Sequence, residues 1–227
     1  VRAEHEAELQ KFGRPGLEFD LESVEPAPDL AEGITLDHAE SIARDLNIGR
    51  AARRLVDRGA AAVAYGCTSG SYVLGIEGEA AIVTRIEKAT GVPSTTTSSA
   101  MVAAFREVGA ERLAVLSPHL DALNERLRAY LHLSGFSVIN MVGLNRLGDI
   151  EGIEPEETRL AVESRVDSPA AEAIFISCTG MRTAEVIDDL EQSLGKPVIS
   201  ANQATLWHVA RLAGSSNMAV RRYPDAD

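Results

Sequence analysis

The sequence predicts an α/β fold of two pseudo-symmetric domains with mainly parallel sheets. Three observations carry this. Short apolar runs alternate with helix-forming stretches along the whole chain, the signature of βαβ units. Two stretches are echoed further on: GAAAVAYGCTSG (59–70) by AAEAIFISCTG (170–180), and ATGVPSTTT (89–97) by SLGKPVISANQ (193–203). The only two cysteines, Cys67 and Cys178, fall at equivalent places in the first echo, each where an apolar run ends. In open α/β sheets, ligands bind just outside the carboxyl ends of the strands.

Taken in order, Arg2–Phe12 is polar and rich in helix formers and predicts an exposed helix, stopped by Gly13 and Pro15-Gly16. Leu17, Phe19 and Leu21 alternate with acids, so Leu17–Val24 predicts a half-buried edge strand. The proline- and acid-rich stretch 25–33 predicts a solvated loop. Thr35 or Asp37 caps a helix that runs to about Arg58 and ends at Gly59. Ala61–Tyr65 is the first cysteine strand, and the Gly-punctuated 72–78 predicts an active-site loop. Helix 80–90, strand 92–97, helix 99–108, strand 112–116, helix 120–133 and strand 136–142 follow, with Gly91, Gly109 and Gly135 as stops. Then come loop 143–155, helix 155–166, the second cysteine strand, helix 183–194, strand 196–200, helix 204–212 and a polar tail. The domains divide as 1–97 plus 200–227, and 98–199.

The chain of 227 residues is 45% hydrophobic, enough for proper cores. No apolar run approaches the ~20 residues of a membrane span, and no signal peptide is visible, so neither a membrane nor export is expected. Two cysteines make no disulfide framework; free thiols in a reducing cytoplasm fit better. A net charge of −12 argues against nucleic acid. It also leaves an anionic substrate dependent on local donors. Five scattered histidines show no metal-ligand spacing, so no metal is expected.

The repeat exposes a gap. In the second half, strand 112–116 and its Ser-Pro-His turn lie some 60 residues before Cys178. The equivalent position before Cys67 falls near residue 1, where a helix is predicted instead. The leading strand of the first half is therefore expected to be missing from this chain, which starts at Val1 rather than Met.

VAYGCTSG, GVPSTTT, SPHLDALNERLRAYL and FISCTGMRTAEVIDDLEQSLGKPVISANQATLWHVARLAG occur in that order between about residues 53 and 214. Together they resemble the maleate cis-trans isomerase and arylmalonate decarboxylase branch of the aspartate/glutamate racemase superfamily. The resemblance implies an active site between the two domains, no cofactor, and one or two cysteines at strand ends. It implies that decarboxylases keep only the equivalent of Cys178, whereas isomerases and racemases keep both, so Cys67 points away from a decarboxylase. Two departures stand out. No Asn-bearing turn precedes the first half, and His119 stands where the family commonly has a carboxylate-holding Tyr.

A thiol acts as thiolate or proton donor, and a strand end facing a helix N-terminus lowers its pKa. Cys67 and Cys178 are the candidate catalytic pair; the plain alternative is two inert buried cysteines. Thr68, Ser69, His119, Thr179 and Gly180 are the candidate substrate-binding residues, with turn forming or capping as the alternative. Trp207 and His208 read as packing, Arg182 as either surface charge or site, and Asn202 and Gln203 as ties between domains. The leading expectation is a cofactor-independent isomerase converting maleate, or a similar small dicarboxylate, to the trans acid. A two-base racemase of an acidic amino acid, an arylmalonate-type decarboxylase and a non-catalytic dicarboxylate binder are the alternatives. The expected partner is a small carboxylate, with self-association a further possibility.

Overall fold

The computed structural model describes residues 3–24, 33–216 and 218. Its element order is α1 (Ala3–Lys11), α2 (Leu36–Ala43), α3 (Ile48–Asp57), β1 (Val63–Tyr65), α4 (Thr68–Tyr72), α5 (Gly75–Thr90), β2 (Ser94–Thr96) and α6 (Thr97–Glu107). Then follow β3 (Arg112–Ser117), α7 (Asp121–Leu133), β4 (Ser137–Gly143), α8 (Pro155–Ala161), a π-helical turn (Val162–Val166), β5 (Ala173–Ile176), α9 (Ile187–Leu194), β6 (Val198–Ser200) and α10 (Ala201–Leu212). Among the described residues two sheets form, both wholly parallel: β1–β2, and β4-β3-β5-β6. The expected α/β class with parallel sheets is what forms.

In the second sheet β3 beyond Arg112, β5 and β6 are buried on both faces, and the edge strand β4 is partly exposed. Leu113, Ala114, Val115 and Leu116 of β3, and all of β5, have no exposed surface. Strands of this kind read as continuous apolar runs, which is why both were legible. Phe105 of α6 locks the core edge-on to Phe136 (5.3 Å between ring centroids) and Phe175 (5.2 Å). Parallel strands put all their carboxyl ends on one edge, so Ser117, Ser177 and Ser200 line up there.

Several expectations change. Residues 17–24 form no strand. Leu17, Phe19, Leu21 and Val24 do turn one face to the core, as their alternation demands. Among the described residues, however, no strand stands beside them to share a ladder, since β1 pairs only with β2. Helix α1 is not an exposed helix: Glu8, Leu9 and Phe12 beside it are buried. Between α1 and residues 17–21 lies a groove of about 260 Å³ with a mixed polar and apolar lining, and none of its lining residues belongs to a cysteine turn.

The helix expected from Thr35 to Arg58 is two. Thr35 caps α2 by accepting the His38 N–H at 3.2 Å. The chain then breaks at Arg44–Asn47, where the Asp45 carboxylate accepts the Asn47 N–H at 2.8 Å. The predicted loop 72–78 is helical but for Val73 and Leu74. Gly75, at φ +72°, redirects the chain. Gly78 is needed as a glycine because a Cβ there would come within 2.2 Å of the Leu74 side chain. The helix expected from Thr183 starts only at Ile187; ahead of it the Thr183 and Ala184 N–H groups donate to Glu8. The loop expected at 25–33 lies outside the described residues except for Gly33, and so does most of the tail.

Candidate active site

Cys67 follows Gly66 at the end of β1, in extended conformation (φ −141°, ψ 111°), and caps α4. Its sulfur stands 3.9 Å from Ser69 Oγ and also interacts with the Gly70 N–H and the Tyr65 phenol. Gly70 makes this approach possible. A Cβ there would lie 2.7 Å from the Tyr65 oxygen and 3.2 Å from the Cys67 sulfur.

Cys178 follows Ser177 at the end of β5, with φ at +90°. That region is costly for any residue with a Cβ, by about 1–3 kcal/mol, and such strain gathers at functional sites. Contacts from elsewhere hold the turn in place. Asn202 Nδ2 donates to the carbonyls of Thr179 (3.1 Å) and Met181 (3.3 Å). The His5 ring interacts with the Thr179 backbone. Glu8, buried in α1, accepts the N–H of Thr183 (2.6 Å) and of Ala184 (2.9 Å), and the Thr183 hydroxyl (3.1 Å).

The two turns meet. Thr179 Oγ1 donates to the Gly66 carbonyl at 3.3 Å, joining the residue after one cysteine to the residue before the other. The charge of a Cys67 thiolate acts on Cys178, and the charges of both act on Tyr72. Both cysteines are free thiols, and each is half-buried.

The expected lowering of the thiol pKa is corrected. Burial pushes Cys67 up, against the donors Gly70, Ser69 and Tyr65. Burial pushes Cys178 up to about 12, against the Gly180 N–H and reinforced by Cys67 and Glu151. The helix N-terminus invoked for the pair is weak here: α4 is five residues long, and no helix follows Cys178 until α9.

Beyond the strands lies a set of buried polar atoms with no hydrogen-bond partner: Thr68 Oγ1, Tyr72 Oη, both ring nitrogens of His119, Ser177 Oγ, Asn202 Oδ1 and Gln203 Oε1. Except for Tyr72, which ends α4, all belong to residues within three positions of the carboxyl ends of β1, β3, β5 and β6. Buried polar groups are nearly always satisfied, so their gathering at one edge of the fold marks where a polar ligand would complete them.

Of the residues expected from sequence, Cys67 and Ser69 are brought together, as are Cys178, Thr179 and Gly180. Thr68 is buried in the set just described. His119 is buried; its N–H donates to Ser117 Oγ (3.2 Å), and no described contact ties its ring to either thiol. Burial lowers its pKa to about 4, so the ring is neutral and offers one N–H. Arg182 is paired with Glu154 at 2.8 Å. Trp207 and His208 stack on each other at 5.8 Å, and His208 Nδ1 meets Thr95 Oγ1 at 2.9 Å, which is packing. Sequence reasoning missed Tyr65, Tyr72 and Ser177. Tyr72 lies four residues after Thr68, hence on the same helix face, although the glycines around it predict a loop. No cluster able to hold a metal occurs among the described residues.

Fold and geometry define an α/β protein with two domains and a buried, thiol-bearing site at its strand ends. Residues 30–222 match the family described as arylmalonate decarboxylase, and the chain belongs to that family, in the same superfamily branch as the maleate isomerases. It is 33% identical to the arylmalonate decarboxylase of Bordetella bronchiseptica over 173 residues, 74% of this chain and 71% of that one. It is 29% identical to a maleate isomerase of Nocardia farcinica (strain IFM 10152) over 116 residues, 50% of this chain and 46% of that one. A solved structure of a Nocardia farcinica maleate cis-trans isomerase mutant, with a covalently bound succinylcysteine intermediate, superposes with a TM-score of 0.74. That match has 20% identity and covers 93% of this chain and 86% of that one; it speaks for the fold. The named relatives are enzymes.

Proposed function

We propose that this protein is a cofactor-independent isomerase of a small unsaturated dicarboxylate, maleate to fumarate, and that Cys67 and Cys178 carry the reaction. The observation behind this reading is the pair itself. Two free thiols on repeat-equivalent turns are joined through the Thr179–Gly66 hydrogen bond and coupled to each other by charge. Residues that follow the same strand ends carry buried polar atoms with no partner.

The Cys67 thiolate adds to one alkene carbon. The C–S bond forms, and the π pair moves to the neighbouring carbon as an enediolate of the adjoining carboxylate. Cys178 gives that carbon a proton, leaving a thioether whose central bond is single and free to rotate. Cys178 then takes the proton back, the pair re-forms the double bond on the trans side, and sulfur leaves as thiolate. Thr68, Ser69, Thr179, Gly180 and His119 serve as the carboxylate donors, His119 through its one N–H. The succinylcysteine of the Nocardia farcinica relative is an adduct of this kind. Both thiols must stay reduced, which fits a cytoplasmic setting.

A second reading, decarboxylation of an arylmalonate, is favoured by the family match and by the 33% identity to the Bordetella bronchiseptica enzyme. Proton NMR with maleate and with phenylmalonate, on the wild type and on Cys67→Ala and Cys178→Ala, separates the two. The expected result is fumarate from maleate, with a loss of at least about 10³-fold in either variant. Carbon dioxide released from phenylmalonate, with Cys67→Ala as active as the wild type, would establish the decarboxylase instead.

A further inference from the structure

We propose that Asn124 is a positioning residue for His119: its amide fixes the turn that presents the His119 ring to a substrate carboxylate. The inference rests on His119 being one of the carboxylate donors.

The turn after β3, Ser117-Pro118-His119, has every carbonyl and the His119 N–H accounted for. The loop after β4 meets the first two carbonyls: the Leu144 N–H donates to Ser117 and the Arg146 N–H to Pro118, each at 2.8 Å. The His119 N–H donates to Ser117 Oγ at 3.2 Å. The His119 carbonyl differs, because its partner is a side chain. Asn124 Nδ2 reaches back to it from the first turn of α7, at 3.0 Å. Gly143, the last residue of β4, closes over this bond: a Cβ there would lie 2.5 Å from Asn124 Nδ2 and 2.9 Å from the His119 oxygen. Asn124 is 4% exposed and its Oδ1 has no partner, so the bond to His119 is what its buried amide makes. The His119 ring is the reverse of its backbone. It is 1% exposed, yet neither ring nitrogen has a partner. A fixed backbone around a buried, unpartnered ring is the arrangement of a group held for a ligand. Burial keeps the ring neutral, with a single N–H. Such a donor bonds well only when aimed within about 30° of its acceptor, so its worth depends on where the turn holds the ring.

The test uses two alkylating probes and needs no turnover. Iodoacetate carries a carboxylate beside its reacting carbon, and iodoacetamide is its neutral analogue. Each is applied to the reduced full chain, and the rates at Cys67 and Cys178 are resolved by mass spectrometry. The ratio of the iodoacetate rate to the iodoacetamide rate reports how well a carboxylate is held. In His119→Phe this ratio is expected to fall about tenfold at one thiol or both, the worth of a hydrogen bond to a charged group. In Asn124→Ala, and separately in Gly143→Ala, it should fall about fivefold, with the iodoacetamide rates within about twofold of wild type. Gly143→Ala keeps the amide and displaces it, so either variant decides the question if the other does not fold. A ratio that holds in both while falling in His119→Phe overturns the role of Asn124 alone. Equal slowing with both reagents overturns it too, since that is loosening without loss of carboxylate recognition. A ratio that holds in His119→Phe removes His119 from the carboxylate donors, and the proposal with it. The isomerase reading is judged separately, by fumarate from maleate.

Discussion

Cys67 and Cys178 occupy the same step of a repeated unit, yet they are held in opposite ways. Cys67 is placed locally: a regular extended backbone, one following helical turn, and donors drawn from residues 65–70. Cys178 sits at φ +90°, with eight helix-free residues behind it, and is held by groups from α1 and α10. The sheets differ in parallel. The second has four strands, and the first has two among the described residues. The first turn is thus specified by its own sequence, whereas the second is specified by tertiary contacts and is the more sensitive to distant substitution.

Three measurements can break or sharpen this contrast. The largest effect is expected for Glu8→Ala. It strips partners from two backbone N–H groups and a hydroxyl, and should cost about 4 kcal/mol by urea unfolding. Hydrogen exchange should rise at 179–186 and stay unchanged at 65–70. Equal loosening of both turns would refute the asymmetry.

Next comes acid. His119 follows β3 of the second half, and its pKa in the folded chain, about 4, lies below the ordinary 6.5. The unfolded chain therefore binds the proton first as pH falls. Stability held above pH 6.5 should be lost progressively down to about pH 4, by about 3 kcal/mol in total. His119→Phe should flatten that part of the stability profile; an unaltered slope would put the sensitivity elsewhere.

The smallest effect concerns backbone strain. Cys178→Gly relieves a left-handed residue, whereas Cys67→Gly loosens an extended one. The first should be the less destabilising by about 1 kcal/mol in matched thermal melts. The reverse order would mean that the Cys178 turn is not strained.

The contrast also explains what could be read from sequence. β3 and β5 were legible because strands buried on both faces must be continuous apolar runs. The stops at Gly91, Gly109 and Gly135 were legible because each needs positive φ. The alternation of Leu17, Phe19 and Leu21 was real as burial but wrong as a strand, since a strand requires a neighbour and alternation does not supply one. At the site, both thiols and the neighbours Ser69, Thr179 and Gly180 could be found from the repeat. The direction of the thiol pKa could not, because it depends on how much protein closes over each sulfur. Tyr72 was hidden by the glycines at 70, 75 and 78, which resemble loop punctuation but serve close packing and one change of direction. Glu8 was hidden by distance, as nothing in a polar helix announces that one of its acids will serve a loop near the other end of the chain.

That distance has a kinetic side. Glu8 and Thr183 are 175 positions apart. Closing so long a loop is entropically expensive and is rewarded only when both ends are already ordered. The Cys67 turn can form while the chain is still being synthesised, but the Cys178 turn has to wait for nearly all of it. The Cys178 turn is therefore among the last parts to mature, and an emerging chain carries one finished cysteine turn long before it has the second.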